Sequence, residues 1–243
     1  MEEENDLTKK EKRELARERK KEETEKKQTA NSFRKFAIWI LTAGIIAFVG
    51  LKVVNWIRQP EPQVAGESIK VKEGDWVKGP ENARVTLLEY ADFQCPACAD
   101  YYPLTKKLSE EFPNDLKIVY RHYPLVTIHK NAIPAAKASE AAGRQGKFWE
   151  MHDILYEKQT EWANEINPFD KFISYSGELG LDEAKFREDY NLGEIEKKIN
   201  DSYYEAVAIR INSTPTFFLN EKQIAPVASY DEIKSLVVNQ LNQ

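Results

Sequence analysis

Val85-Thr86-Leu87-Leu88-Glu89-Tyr90-Ala91-Asp92-Phe93-Gln94-Cys95-Pro96-Ala97-Cys98 is the stretch on which the fold turns. Its first half is a nearly continuous apolar run, the pattern of a strand buried in the middle of a sheet. Its second half opens a helix-like segment at Pro96, a residue suited to a first helical turn because its φ is preset and it has no N–H to leave unpaired. The chain's only 2 cysteines stand at this junction. A disulfide between residues three apart closes a very short loop, removes little chain entropy and is a poor staple. The same placement favours reactivity. A cysteine at a helix start faces unpaired backbone N–H groups and the positive dipole end, which lowers its pKa from about 8.5 to roughly 3.5–7.5. By position Cys95 is the exposed attacking sulfur and Cys98, one turn further in, the resolving one. A zinc site needs about four ligands, and only His122, His129 and His152 are at hand, at unrelated spacings. Neither a metal nor a cofactor is expected.

Working outward, Ile69–Val71 reads as a short strand. A helix from Pro96 puts Tyr101, Leu104, Leu108 and Phe112 on one face, and Leu116–His122 is a further strand that completes a βαβ unit. The middle of the chain is helical. Asn131–Gly143 carries a small-residue face of Ala132, Ala135, Ala136, Ser139 and Ala142, and Phe148, Met151 and Leu155 form the stripe of the next helix. Phe169–Tyr175, Asp182–Tyr190 with Asp182 as N-cap, and Ile195–Ile209 follow. Thr216–Leu219 is a strand, Gln223–Ala225 its hairpin partner, and Tyr230–Leu241 a last helix with Ile233, Leu236, Val237 and Leu241 inward. The pattern is an α/β sheet interrupted by an inserted helical domain spanning about 129–209, the whole domain covering 68–243.

Residues 1–35 hold 12 Lys or Arg and 10 Asp or Glu with almost no large apolar side chain, so they read as a charged, solvated tail. Residues 36–57 are apolar and long enough to span a bilayer as a transmembrane anchor. The basic tail before them places the N-terminus in the cytoplasm under the positive-inside rule. A signal peptide fits less well, since the basic n-region is not short and no clear cleavage site follows. Residues 58–67 form a Pro-bearing linker, and everything beyond lies outside, in an oxidising compartment. With a net charge of −5 and a tail that is slightly basic, the outer domain is acidic, which argues against nucleic acid as a partner.

At four places the sequence resembles the DsbA-like branch of the thioredoxin superfamily, in particular its membrane-anchored bacterial thiol:disulfide oxidoreductases. The matches are Glu89 to Cys98; Ile128-His129-Lys130-Asn131-Ala132; Ala141-Ala142-Gly143-Arg144-Gln145-Gly146-Lys147-Phe148-Trp149-Glu150-Met151-His152-Asp153; and Ser213-Thr214-Pro215-Thr216-Phe217-Phe218. The resemblance implies a thioredoxin-like fold with a helical insertion after one transmembrane helix. It also implies a cis Thr214–Pro215 bond facing the dithiol, with Pro96, Ala97, Thr214 and Pro215 meeting the substrate. Glu89 matches the acid beneath the active site, where a raised pKa would let it exchange a proton with Cys98. His129 and His152 are read as structural or groove-lining. The sequence departs from the family where strongly oxidising members have His between the cysteines, since Ala97 stands there. It departs again at Ser213 and Glu221, where many relatives have glycine.

The expected activity is donation of the Cys95–Cys98 disulfide to cysteine-bearing exported proteins, with reoxidation by a membrane partner of the DsbB or VKOR type. The alternatives are a disulfide reductase or isomerase, the latter weakened because no dimerisation domain precedes the outer domain, and a thioredoxin-like module that binds clients. The sequence names neither the clients, the redox partner, the direction of electron flow, the oligomeric state nor the organism.

Overall fold

This computed structural model describes residues 69–243 and, before them, Trp39, Leu41, Thr42, Gly44, Phe48, Gly50 and Lys52. The chain divides into two units, residues 1–61 and 62–243. In the first, those seven residues are helical and exposed. The charged tail over 1–35, the linker over 58–67 and, apart from those seven residues, the anchor expected over 36–57 lie outside the described residues. Among the described residues no helix is long and apolar enough to cross a membrane.

The second unit is built on a 5-stranded sheet of order β1-β3-β2-β4-β5, comprising β1 (Trp76–Lys78), β2 (Val85–Ala91), β3 (Leu116–His122), β4 (Thr216–Leu219) and β5 (Lys222–Gln223). β2 and β3 run parallel, joined by the crossover helix α1 (Pro96–Glu111), and every other pairing is antiparallel. The continuous apolar run of β2 is explained by burial on both faces. Val85 and Leu87 pack with Leu108, Phe217, Ile233 and Val237. Leu88 and Tyr90 point the other way, into a cluster with Val119, Phe218, Ala206 and Ile209.

Between β3 and β4 the chain leaves the sheet for α2 (Ala132–Gly143), α3 (Phe148–Glu157), α4 (Gln159–Trp162), α5 (Phe169–Glu178), α6 (Glu183–Tyr190) and α7 (Gly193–Ala208), and α8 (Tyr230–Leu241) closes the fold. The small-residue face of α2 is buried as its composition predicts, and Asp182 caps α6 by accepting from Lys185 N. Trp76 stacks on Phe148 with ring centroids 4.3 Å apart. Gly143 makes that possible, since a Cβ there would stand 2.4 Å from the indole.

Two expectations are corrected. Ile69–Val71 is not a strand, although Ile69 is buried. The reason is Arg121, a buried guanidinium that donates to Lys70 O at 2.6 Å and to the Asp75 carboxylate at 2.7 and 2.8 Å. These bonds, with Lys72 N donating to Asp75 Oδ2 at 2.8 Å, bend the segment into a turn and defer the ladder to Trp76. At the other edge, the partner of β4 is Lys222–Gln223 rather than Gln223–Ala225. The connecting Asn220 and Glu221 have φ of 45° and 68°, so they make a tight turn in the left-handed region that favours glycine.

Candidate active site

β2 ends at Ala91, and the chain then turns through Asp92–Gln94 before α1 begins. Four polar side chains hold that turn. The buried Asp92 carboxylate accepts from Gln94 N at 2.7 Å and Leu125 N at 2.9 Å and pairs with His129 Nδ1 at 2.7 Å. Gln94 donates to Ala163 O and accepts from Asn131 N, each at 2.6 Å. Gln159 donates to Phe93 O at 2.7 Å and Cys95 O at 3.0 Å. Asn131 in turn donates to the carbonyls of Trp162, Ala163 and Glu165. The helical insertion thus fixes the backbone on which the dithiol sits.

Cys95 occupies the N-cap of α1, with Pro96 at the first helical position as the sequence predicts. Its exposure is smaller than position alone suggests. Cys95 is only 7 % exposed, while Pro96 and Ala97 form the open surface and Cys98 is fully buried. The Thr214–Pro215 bond is cis, and Cys95 Sγ donates to Thr214 O at 3.5 Å, so the proline loop faces the dithiol as the family resemblance implied. Pro96, Ala97, Thr214 and Pro215 are therefore grouped around one sulfur.

The two thiols differ sharply. Cys95 is pulled down to about 5, chiefly by the hydrogen bond from the Cys98 thiol and against the opposing effect of burial. The Thr214 hydroxyl, buried and otherwise unpartnered, and the backbone N–H groups of Cys98 and Ala97 add smaller effects in the same direction. The helix start therefore contributes, but the neighbouring thiol contributes more. Burial pushes the Cys98 thiol well up, assisted by its hydrogen bond to Cys95 and by the Cys95 and Glu89 charges.

Glu89 lies in the middle of β2, between Tyr120 and Phe217. It is 4 % exposed, and its side chain has no hydrogen-bond partner among the described residues; burial pushes its carboxyl up to about 8. The acid is thus neutral at pH 7, and it lies near enough to Cys98 for its charge to act on that thiol. His129 serves the turn through Asp92, and His152 lies inside a shell of aromatic rings. Among the described residues no group of His, Cys, Asp and Glu is arranged to hold a metal ion.

Asp92, Gln94, Asn131 and Gln159 are the site residues whose roles sequence reasoning missed. Their bonds join positions tens of residues apart and leave no local pattern. The one available signal was the presence of polar residues inside otherwise apolar stretches.

A C-x-x-C at the start of a crossover helix, facing a cis-proline loop across a mixed sheet with a helical insertion, defines a thioredoxin-superfamily dithiol domain of the DsbA-like kind. A family model described as "Thioredoxin" matches residues 71–239, and the chain belongs to that family. Of solved structures, α-DsbA1 of Wolbachia pipientis is similar with a TM-score of 0.66 at 17 % identity, covering 73 % of this chain and 96 % of that one. Oxidised BdbD of Bacillus subtilis gives a TM-score of 0.62 at 24 % identity, covering 75 % and 97 %. A curated relative, the Na(+)/H(+) antiporter NhaA 1 of Salinispora arenicola, is 36 % identical over 197 residues, which are 74 % of this chain and 29 % of the antiporter. The chain therefore spans less than a third of the length of such relatives.

Proposed function

We propose that this protein is an extracytoplasmic thiol:disulfide oxidoreductase, tethered to the membrane through residues 36–57, that donates its Cys95–Cys98 disulfide to exported proteins. The observation that carries the reading is the geometry of the dithiol, with Cys95 at the N-cap of α1 against the cis Thr214–Pro215 loop and Cys98 buried behind it, and the unlike shifts of the two thiols agree with it. A client thiolate attacks Cys95, forming a bond to its sulfur and breaking the Cys95–Cys98 bond. Cys98 leaves and takes up a proton, for which the neutral Glu89 carboxyl is the nearby source. A second client thiolate then attacks the client sulfur, expelling Cys95 as a thiolate. The client leaves oxidised and the protein holds the two electrons as a dithiol. A low Cys95 pKa makes that sulfur a good leaving group and stabilises the reduced protein, both of which drive the reaction toward the client.

Pro96, Ala97, Thr214 and Pro215 supply the client surface, with the backbone beside the cis bond open to an extended segment. Reoxidation falls to a membrane partner of the DsbB or VKOR type. A membrane setting is supported by the apolar segment and by the antiporter relatives, since an antiporter acts across a membrane.

The test is trapping. In full-length Cys98→Ser, cysteine-bearing exported proteins should accumulate as mixed disulfides on Cys95 that migrate apart on non-reducing gels, and Cys95→Ser should neither trap nor oxidise them. Oxidation by Cys95→Ser at the native rate would sink the proposal.

A further inference from the structure

Glu89 is enclosed, so a proton that it exchanges with Cys98 must also reach solvent. The Glu89 side chain opens onto a cleft of about 10 Å³, also lined by Lys78, Tyr102, Lys106, Trp149, His152 and Asp153. That is room for about one water molecule. His152 is 5 % exposed and ringed by Phe93, Tyr120, Trp149 and Tyr156 at centroid distances of 5.6, 5.1, 5.1 and 5.0 Å. Its Nδ1 pairs with Asp153 Oδ1 at 2.9 Å, and Asp153 is half-buried where the cleft opens, with Lys106 Nζ 3.3 Å from its other oxygen. A carboxylate on Nδ1 places the proton there and leaves Nε2 as the acceptor. Among the described residues no protein group bonds Nε2.

We propose that His152 and Asp153 carry protons between Glu89 and solvent, with one water in the cleft linking the Glu89 carboxyl to His152 Nε2. The proposal rests on the reading of Glu89 as the proton partner of Cys98. When the dithiol is reoxidised, the Glu89 proton passes through the water to Nε2, and the Nδ1 proton passes to Asp153 and on to solvent. Glu89 then takes the Cys98 proton as that sulfur forms its bond to Cys95. When a client is oxidised the transfers run inward, from Nε2 through the water to Glu89, with Nδ1 refilled from Asp153. One proton leaves and one enters per cycle, so each half-reaction resets the imidazole for the next.

The surroundings suit a carrier. Tyr120 from β3, Tyr102 from α1 and Tyr156 on its own helix pack on the ring, the charges of Lys78 from β1 and His122 from β3 act on it, and Glu89 from β2 and Lys106 from α1 line the same cleft. Burial first, and the Lys78 and His122 charges after it, hold His152 neutral against the pull of Asp153. Lys78 lies 5.6 Å over the Trp149 ring, and its charge acts on both His152 and Asp153, which helps hold Asp153 as the carboxylate.

The experiment uses the full-length protein, with reduced and oxidised glutathione as the probe, acid quenching and thiol alkylation to read both forward and reverse exchange rates. A directly acting acid–base group contributes roughly 10²–10⁴-fold, and for one acting through Glu89 we expect a fall of about tenfold in His152→Gln. The fall should be equal in both directions, leaving the reduction potential unchanged, because a relay alters rates and not equilibria. Asp153→Asn, at the half-buried mouth, should slow both directions in the same way and keeps the test alive should His152→Gln fold poorly. His152→Ala opens a hole the size of its lost ring, and added imidazole should restore both rates. Rates within twofold of wild type in both His152→Gln and Asp153→Asn, or a potential shift that accounts for the slowing, would overturn the relay. A wild-type protein that exchanges no faster than Glu89→Gln would remove the reading beneath the relay, which is a different result from a relay that fails while Glu89 matters.

Discussion

The reduction potential should fall with pH at half the slope of an ordinary dithiol across the neutral range. The Cys95 thiol is held near 5, whereas Cys98 stays protonated well past neutrality. Between about pH 5 and 8, reduction of the disulfide then takes up two electrons and only one proton, the one on Cys98. One proton per two electrons corresponds to about 30 mV per pH unit. Below about pH 5 both sulfurs are protonated on reduction and the slope doubles to about 60 mV per pH unit.

The sign follows from linkage. A thiol whose folded pKa lies below its free value stabilises the reduced form fully above the free value of about 8.5, and that contribution is lost as pH falls toward 5. At pH 7 about two pH units of it remain, roughly 2.7 kcal/mol at about 1.4 kcal/mol per unit, equivalent to about 60 mV of oxidising strength. The assay equilibrates full-length protein with glutathione buffers of known potential at steps from about pH 4 to 7, a window in which Glu89 stays mostly protonated because its carboxyl is held up to about 8. Alkylation after acid quenching then counts the free thiols. A break near pH 5 with the shallower slope above it is expected. A slope of about 60 mV per unit that continues unbroken to neutrality would mean that Cys95 is a thiol there, and the argument from its surroundings would fail.

Glu89→Gln should stabilise the protein. The folded state keeps this acid neutral up to about 8, while the unfolded chain ionises it above about 4.5, so stability is lost as pH rises between the two values. Urea unfolding should show the variant ahead by up to about 3 kcal/mol at pH 7, and the two proteins alike at pH 4. Arg121→Met should do the opposite at neutral pH. Its guanidinium also donates to Tyr90 Oη at 2.9 Å, and its loss leaves the buried Asp75 carboxylate without its cation. Unfolding should be easier by roughly 3–5 kcal/mol, and an unchanged midpoint would deny the cluster its part in placing residues 70–75.

The elements that declared themselves in the sequence are those with local chemistry. β2 is a nearly continuous apolar run, β3 has the apolar Ile118, Val119 and Tyr120 at its centre, α2 carries its small face at helical spacing, and Asp182 is a capping residue placed before a helix. The dithiol was legible because a lone C-x-x-C at a strand-to-helix junction has few other uses, whereas Pro215 was reached only through the family resemblance. β1 was not legible, because three residues are too few to show a period of two, and its position depends on Arg121, which looks like any strand residue until its partners at 70, 75 and 205 are known. The exposure of Cys95 was misjudged for a related reason. Thr214 covers the sulfur from 119 residues away in the chain. The polar frame around the turn is likewise a product of the insertion folding back onto it.

The sheet ends in two very short strands, three residues of β1 on one side and the exposed pair Lys222–Gln223 on the other. Each outer strand carries a lysine, Lys78 or Lys222. An unfolded chain meeting a long, flat border would zip along it and stay, since a free row of N–H and C=O groups is a template for another strand. These borders offer it too little length to hold. The surface beside the dithiol is instead the exposed Pro96 and Ala97 and, in the proline loop, the exposed Asn212 and Ser213. On the function proposed above, in which each client chain must be released, where the sheet refuses to pair matters as much as where the dithiol reacts.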